Sequence, residues 1–118
     1  MSITLSMDTR AKRLAQNETL FREVNERVEE VASGFADRDE EDRPIGFVCE
    51  CGRRDCTESI EATRAQYEAV RSNPLRFLVL PGHEDEEVER VVERTDRFVV
   101  VVKLGEGARL AAEQDPRS

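Results

Sequence analysis

Apolar positions recur at helical spacing through the first third of the chain. Met7, Leu14, Phe21 and Val28 lie seven apart, and Leu20, Val24 and Val31 widen the stripe. No Pro or Gly interrupts residues 8–32, Asp8 or Thr9 offers an N-cap, and Gly34 supplies a stop. The pattern predicts an N-terminal amphipathic helix as the segment 1–34. Such a stripe either packs on its own domain or pairs with a partner or a second copy. Three heptads with Asn17 at a seam position make at most a short coiled-coil signature.

The pattern changes after Gly34. Residues 35–44, FADRDEEDRP, carry five acids and two Arg, and read as a solvated acidic linker. From residue 45 the periodicity becomes that of short strands. Ile45–Cys51 alternates, with Phe47, Cys49 and Cys51 on one face, and residues 58–62 offer a second strand. Thr63 is an N-cap for a helix RAQYEAVRS, with Tyr67 and Val70 inward and a stop at Asn73-Pro74. Residues 76–80 form a strand ended by Pro81-Gly82, and FVVVVKL at 98–104 is a central strand. Residues 88–94 fit a helix or a strand; Thr95-Asp96 as a hairpin loop favours the strand. Residues 105–118 read as a flexible tail. The fold expected is α+β: a long N-terminal helix, then a zinc-binding unit at 45–104 made of a small, mostly antiparallel sheet, one helix and a metal knuckle.

Composition narrows the function. The chain has 118 residues, with 26 acids against 18 bases and a net charge of −8. That balance disfavours a generic nucleic-acid binder, because phosphate contacts need a basic surface. No apolar run approaches the ~20 residues of a membrane span. No leader pattern is visible at the N-terminus, so a cytoplasmic, reducing setting is expected. Sixteen Arg against two Lys suggest a GC-rich bacterial genome.

The candidate chemistry is concentrated in two places. Cys49, Cys51 and Cys56 fall within eight residues, and His83 is the only imidazole. Three thiols and one imidazole are a donor set that tetrahedral Zn2+ favours, with Gly52 permitting the turn that returns Cys56 toward Cys49 and Cys51. The alternatives are buried unligated thiols, a Cys51–Cys56 disulfide, or an iron–sulfur cluster. Asp55, Glu58 and Glu84 are reserve ligands should His83 not bind. Arg53 and Arg54 stand at the knuckle tip, where they offset thiolate charge or meet an anionic group. A filled Cys3His shell leaves no imidazole for acid–base work, so no catalytic residue is assigned.

The C-x-C-x4-C spacing of Cys49, Cys51 and Cys56 is similar to the zinc-binding post-SET triad of histone lysine methyltransferases, whose fourth ligand comes from elsewhere in the fold. The likeness covers eight residues; it implies a metal triad and not methyl transfer. More broadly, FREVNERVEE, FVCECGRRDC, YEAVRSNPLRFLVLPGHE and VERVVERTDRFVVVVK together resemble a group of small acidic proteins from high-GC bacteria. That resemblance covers most of the chain and implies a class rather than an activity. The functional expectation is a zinc-stabilised, non-enzymatic interaction module, open to a regulatory role, meeting a protein partner or its own copy through the N-terminal helix. The alternatives are a thiolate–zinc redox or metal sensor and, behind it, a metal-dependent enzyme.

Overall fold

The computed structural model describes residues 3–35, 43–53, 56 and 58–117. Helix α1 runs Ile3–Phe35 and is followed by β1 (Ile45–Val48), β2 (Ser59–Ala62), α2 (Arg64–Arg71), β3 (Arg76–Val79), β4 (Glu89–Arg94), β5 (Val99–Lys103) and α3 (Gly105–Glu113). The fold is α+β, with its strands in two small antiparallel sheets. β1 and β2 form a hairpin in the register Ile45↔Ala62 and Phe47↔Ile60. The other sheet has the order β3-β5-β4. The expected single sheet is therefore divided in two, bridged past β1 by the bond from Glu50 N to Leu78 O at 2.8 Å.

The second sheet follows from local sequence. β5, a run of four Val, is buried on both faces and takes the centre. The segment 88–94, open between helix and strand from its sequence, is paired with β5 through a bulge between Val91 and Glu93. Thr95 turns this hairpin: its hydroxyl accepts from the backbone N–H groups of Arg97 and Phe98 at 3.2 and 3.1 Å. α2 begins at Thr63 with a capping box: the Thr63 hydroxyl accepts from Gln66 N, and the Gln66 side chain accepts from Thr63 N. The core joins Phe47, Ile60 and Tyr67 to Phe77, Leu78, Val79 and β5, with the Phe47 and Tyr67 rings stacked 4.5 Å apart.

Three expectations need correction. α1 begins at Ile3, so Asp8 and Thr9 lie inside the helix rather than at its start. Residues 105–113 are a helix rather than a loose tail; Ala111 and Asp115 are buried, and Arg22 of α1 donates to the Ala111 carbonyl at 2.8 Å, satisfying an acceptor of the last turn. Residues 36–42, most of the acidic linker, lie outside the described residues, as does the Met7 side chain.

The third correction concerns which stripe of α1 is inward. Ala15, Glu18, Arg22, Asn25 and Glu29, spaced three and four apart, are buried. Each polar member has a partner in the body. Glu18 meets Lys103, and Glu29 meets Arg64 and Arg117. Arg22 donates to the carbonyls of Pro74 and Ala111 and lies 4.4 Å over the Phe77 ring. Leu20, Val24 and Val31 of the apolar stripe are 55%, 41% and 57% exposed, and Val28 is half-buried against the core. α1 does pack on its own domain, mainly through hydrogen bonds and ion pairs, with Val28 of the apolar stripe against the core.

Candidate metal centre

The connection of the β1–β2 hairpin, residues 49–58, carries all three cysteines. The ladder runs one step into it, since Cys49 N donates to Glu58 O at 3.0 Å. Past Cys51, Gly52 takes φ +76°, a left-handed conformation that turns the loop. Cys56 N then donates to Arg53 O at 3.1 Å and closes the turn. His83 arrives from the other sheet. Leu80–His83 is a tight turn with Pro81 and Gly82 at its centre, Gly82 at φ +90°, and a 2.9 Å bond from His83 N to Leu80 O.

These two turns bring the four predicted ligands together. Cys49, Cys51 and Cys56 are buried, His83 is half-buried, and one donor atom from each lies within 4.8 Å of the other three. His83 Nδ1 is 3.7 Å from Cys49 Sγ and 3.5 Å from Cys56 Sγ. Around one tetrahedral zinc with Zn–S near 2.3 Å and Zn–N near 2.0–2.1 Å, the sulfur–nitrogen edge is about 3.6 Å. A single S–H···N hydrogen bond would explain one such distance. Two sulfurs equally close to one nitrogen match the edges of a coordination polyhedron. The donor set is thus compatible with a metal site.

Backbone donors also reach the sulfurs. Leu80 N donates to Cys49 Sγ at 3.2 Å. The backbone N–H groups of Cys51, Arg53 and Glu58 in turn pull against the neutral thiols of Cys49, Cys51 and Cys56. Such donors stabilise negative sulfur. The hydrogen bond from Cys49, ahead of burial, which opposes it, brings Cys51 down to about 5. The same shared proton, together with burial, pushes Cys49 up, and burial pushes Cys56 up.

The reserve ligands stay out of this cluster. Asp55 lies outside the described residues, as does Arg54, whereas Arg53 is exposed at the loop tip. Glu58 is exposed and contributes its carbonyl to the hairpin. Glu84 accepts from Gly82 N at 2.6 Å and from Arg94 at 3.0 Å, and backbone donors at its own residue and Gly82 hold its carboxyl below the ordinary range.

Sequence reasoning missed the residues that hold the loop in place. Glu50, between two ligands, points away from them and is fully buried. Its carboxylate accepts from Leu78 N at 2.9 Å, Asn25 Nδ2 at 2.7 Å and Tyr67 Oη at 3.3 Å. Burial outweighs these donors and pushes it up to about 7. Asn17, read as a seam position, donates instead to Gly52 O at 3.1 Å. The available signal was strand alternation itself: with Cys49 and Cys51 on one side, Glu50 must enter the other.

Comparisons against family models, curated proteins and solved structures found no match for this chain. No helix among the described residues is long and apolar enough to cross a membrane.

Proposed function

We propose that this chain is a zinc-stabilised, non-enzymatic interaction module. One Zn2+ held by Cys49, Cys51, Cys56 and His83 cross-links the β1–β2 hairpin to the end of β3. The exposed Leu20, Val24 and Val31 stripe of α1 then meets a protein partner or a second copy. The observation that carries this reading is the convergence of four donor atoms within 4.8 Å, at separations suited to one tetrahedral ion. An iron–sulfur cluster spreads its ligands over two or more irons and needs a wider cage. With four protein donors the shell is closed, and the only imidazole is spent on it. The metal supplies folding free energy; the surrounding residues supply the shape.

Native mass spectrometry of protein purified without added metal tests this reading. The expected spectrum shows one zinc per chain, lost in His83→Ala and in any single Cys→Ser variant. Two or more irons, or full metal retention in His83→Ala, would overturn it. The same spectrum reports self-association, and a dimer that disappears in Leu20→Ser/Val24→Ser with zinc retained assigns the α1 stripe to a second copy. A monomer removes self-association through the α1 stripe.

A second reading, a thiolate–metal sensor, is favoured by how the loop is tied to α1. Asn17 holds Gly52 and Asn25 holds Val48 and Glu50, so contacts to the helix flank the cysteines. Metal loss on thiol oxidation would loosen those contacts. Zinc release into a chromogenic chelator under mild peroxide supports this reading, and retention removes it.

A further inference from the structure

Beside the metal loop lies a cleft of about 730 Å³, a volume in the range of small-molecule sites. α1 forms one wall with Arg13, Gln16 and Asn17; the other walls are Gly52-Arg53 and Asp85. We propose that this cleft binds a phosphorylated small molecule, its phosphate held between the guanidinium groups of Arg13 and Arg53.

Charge placement carries the argument. The chain has a net charge of −8, and Arg64, Arg71, Arg94, Arg97 and Arg117 are all engaged with carboxylates. The Arg13 and Arg53 guanidinium groups, like those of Arg27 and Arg90, have no ion-pair or hydrogen-bond partner among the described residues, but these two line one cleft. The single carboxylate among the described lining residues, Asp85, is turned into its own loop and accepts from Glu87 N at 3.1 Å. Two guanidinium groups against one occupied carboxylate make a local positive site on an acidic protein, where low-dielectric walls focus the field. A phosphomonoester carries close to two negative charges at neutral pH and presents oxygens that guanidinium forks match; a single carboxylate carries one.

The rest of the wall suits a small ligand rather than a bare ion. Gln16 and Asn17 add carboxamides, and Asn17 spends one donor on Gly52 O, which fixes its position. Leu14 gives an apolar strip for the body of the molecule. Two walls belong to the loops that carry the candidate metal ligands: Gly52 follows Cys51, and Asp85 lies two residues past His83. The cleft is therefore held open by the same turns that bring the ligands together, whichever metal they bind.

The test is calorimetric and NMR titration of the purified, metal-bearing protein with inorganic phosphate, pyrophosphate and adenosine monophosphate, against sodium chloride at matched ionic strength. Saturable binding of at least one phosphate ester is expected, with Arg13→Gln and Arg53→Gln each weakening it by about tenfold or more and the double variant abolishing it. Both side chains are exposed, so the variants should keep their fold and metal content, which circular dichroism and metal analysis verify. No saturable response to any of the three probes would overturn the proposal. So would equal affinity in the double variant, or tighter binding of an aspartate-rich peptide than of any phosphate. Because metal content is measured on the same samples, failure here leaves the metal reading separately decided.

Discussion

Asn25 of α1 grips the backbone of Val48 with both ends of its carboxamide: Nδ2 donates to Val48 O at 2.8 Å and Oδ1 accepts from Val48 N at 2.8 Å. One side chain thus imitates a neighbouring strand for the last residue of β1. The same Nδ2 also reaches Glu50, so helix, hairpin and cysteine loop meet at a single amide. Removing it leaves several inward polar groups without partners, at about 1–3 kcal/mol for each buried one. Asn25→Ala should lower stability by about 2–4 kcal/mol in urea denaturation. Asn25→Asp should be at least as damaging, since it loses the donor and sets a second carboxylate against Glu50. A loss below about 1 kcal/mol for Asn25→Ala would show that the grip is dispensable.

Metal removal should act on the whole fold rather than on one loop. The candidate ligands come from both sheets, and the apolar core between them contains few aromatic rings. Chelation, or Cys49→Ser, should lower the melting temperature by about 10 °C or more and broaden the transition. Restoring one equivalent of zinc to the chelated wild type should restore it, and the Cys49→Ser protein should not respond. Differential scanning fluorimetry across a chelator and zinc series reads both outcomes.

Two glycines with similar backbone angles should differ in cost. Gly52 and Gly82 both have positive φ, so an added side chain strains the backbone at either by about 1–2 kcal/mol. At Gly52 a Cβ would also stand 2.7 Å from Glu18 Cγ and 2.8 Å from the Leu14 carbonyl, pushing the metal loop off α1. At Gly82 it would meet nothing within 4 Å. Gly52→Ala should therefore cost more than Gly82→Ala, by about 1 kcal/mol or more, and should also weaken zinc retention. Equal losses in parallel denaturation curves would mean that the loop-to-helix approach is looser than the geometry implies.

The readings that succeeded were those made by local chemistry. Thr63 begins a helix because its hydroxyl and Gln66 cap each other, and 98–104 is central because four consecutive Val need burial on both faces. Cys49, Cys51, Cys56 and His83 were legible as a set because their donor chemistry is shared, even with His83 far along the chain. What failed depended on tertiary pairing. The apolar stripe of α1 was legible, but its direction was not, because Glu18, Arg22, Asn25 and Glu29 find partners on β5, β1 and the C-terminal segments that no local pattern reveals. Residues 105–113 looked like a tail for the same reason: Arg71 pairs with Asp115 and Arg117 binds Glu68, contacts made across long sequence separations.

The buried cluster of Lys103, Glu18 and Glu89 gives stability a defined pH dependence. Lys103 Nζ lies 2.6 Å from Glu18 Oε1 and 3.2 Å from Glu89 Oε1, so one ammonium serves two carboxyl groups, and Glu18 Oε2 has no partner. Burial pushes Glu18 up to about 8; Lys103 pulls against it and the Glu89 charge adds to it. An acid raised in the native state keeps a proton that the unfolded chain releases near 4.5. Between pH 4.5 and 8 the unfolded chain therefore binds fewer protons, and stability falls as pH rises, by up to about 1.4 kcal/mol per unit from this group. Below that window both states are protonated, and above it both are ionised, so the contribution is flat. Glu18→Gln keeps an oxygen for Lys103 and removes the titration. The stability difference between wild type and Glu18→Gln should thus shift steadily against the wild type from pH 5 to 8. Glu29 and Glu50, also raised to about 7, titrate in both proteins and largely cancel in that difference. Lys103→Met removes the ammonium and should cost about 3–5 kcal/mol at pH 8 and less at pH 5, where Glu18 is neutral. Parallel stability curves for wild type and Glu18→Gln across that range would show that Glu18 is already ionised in the folded protein.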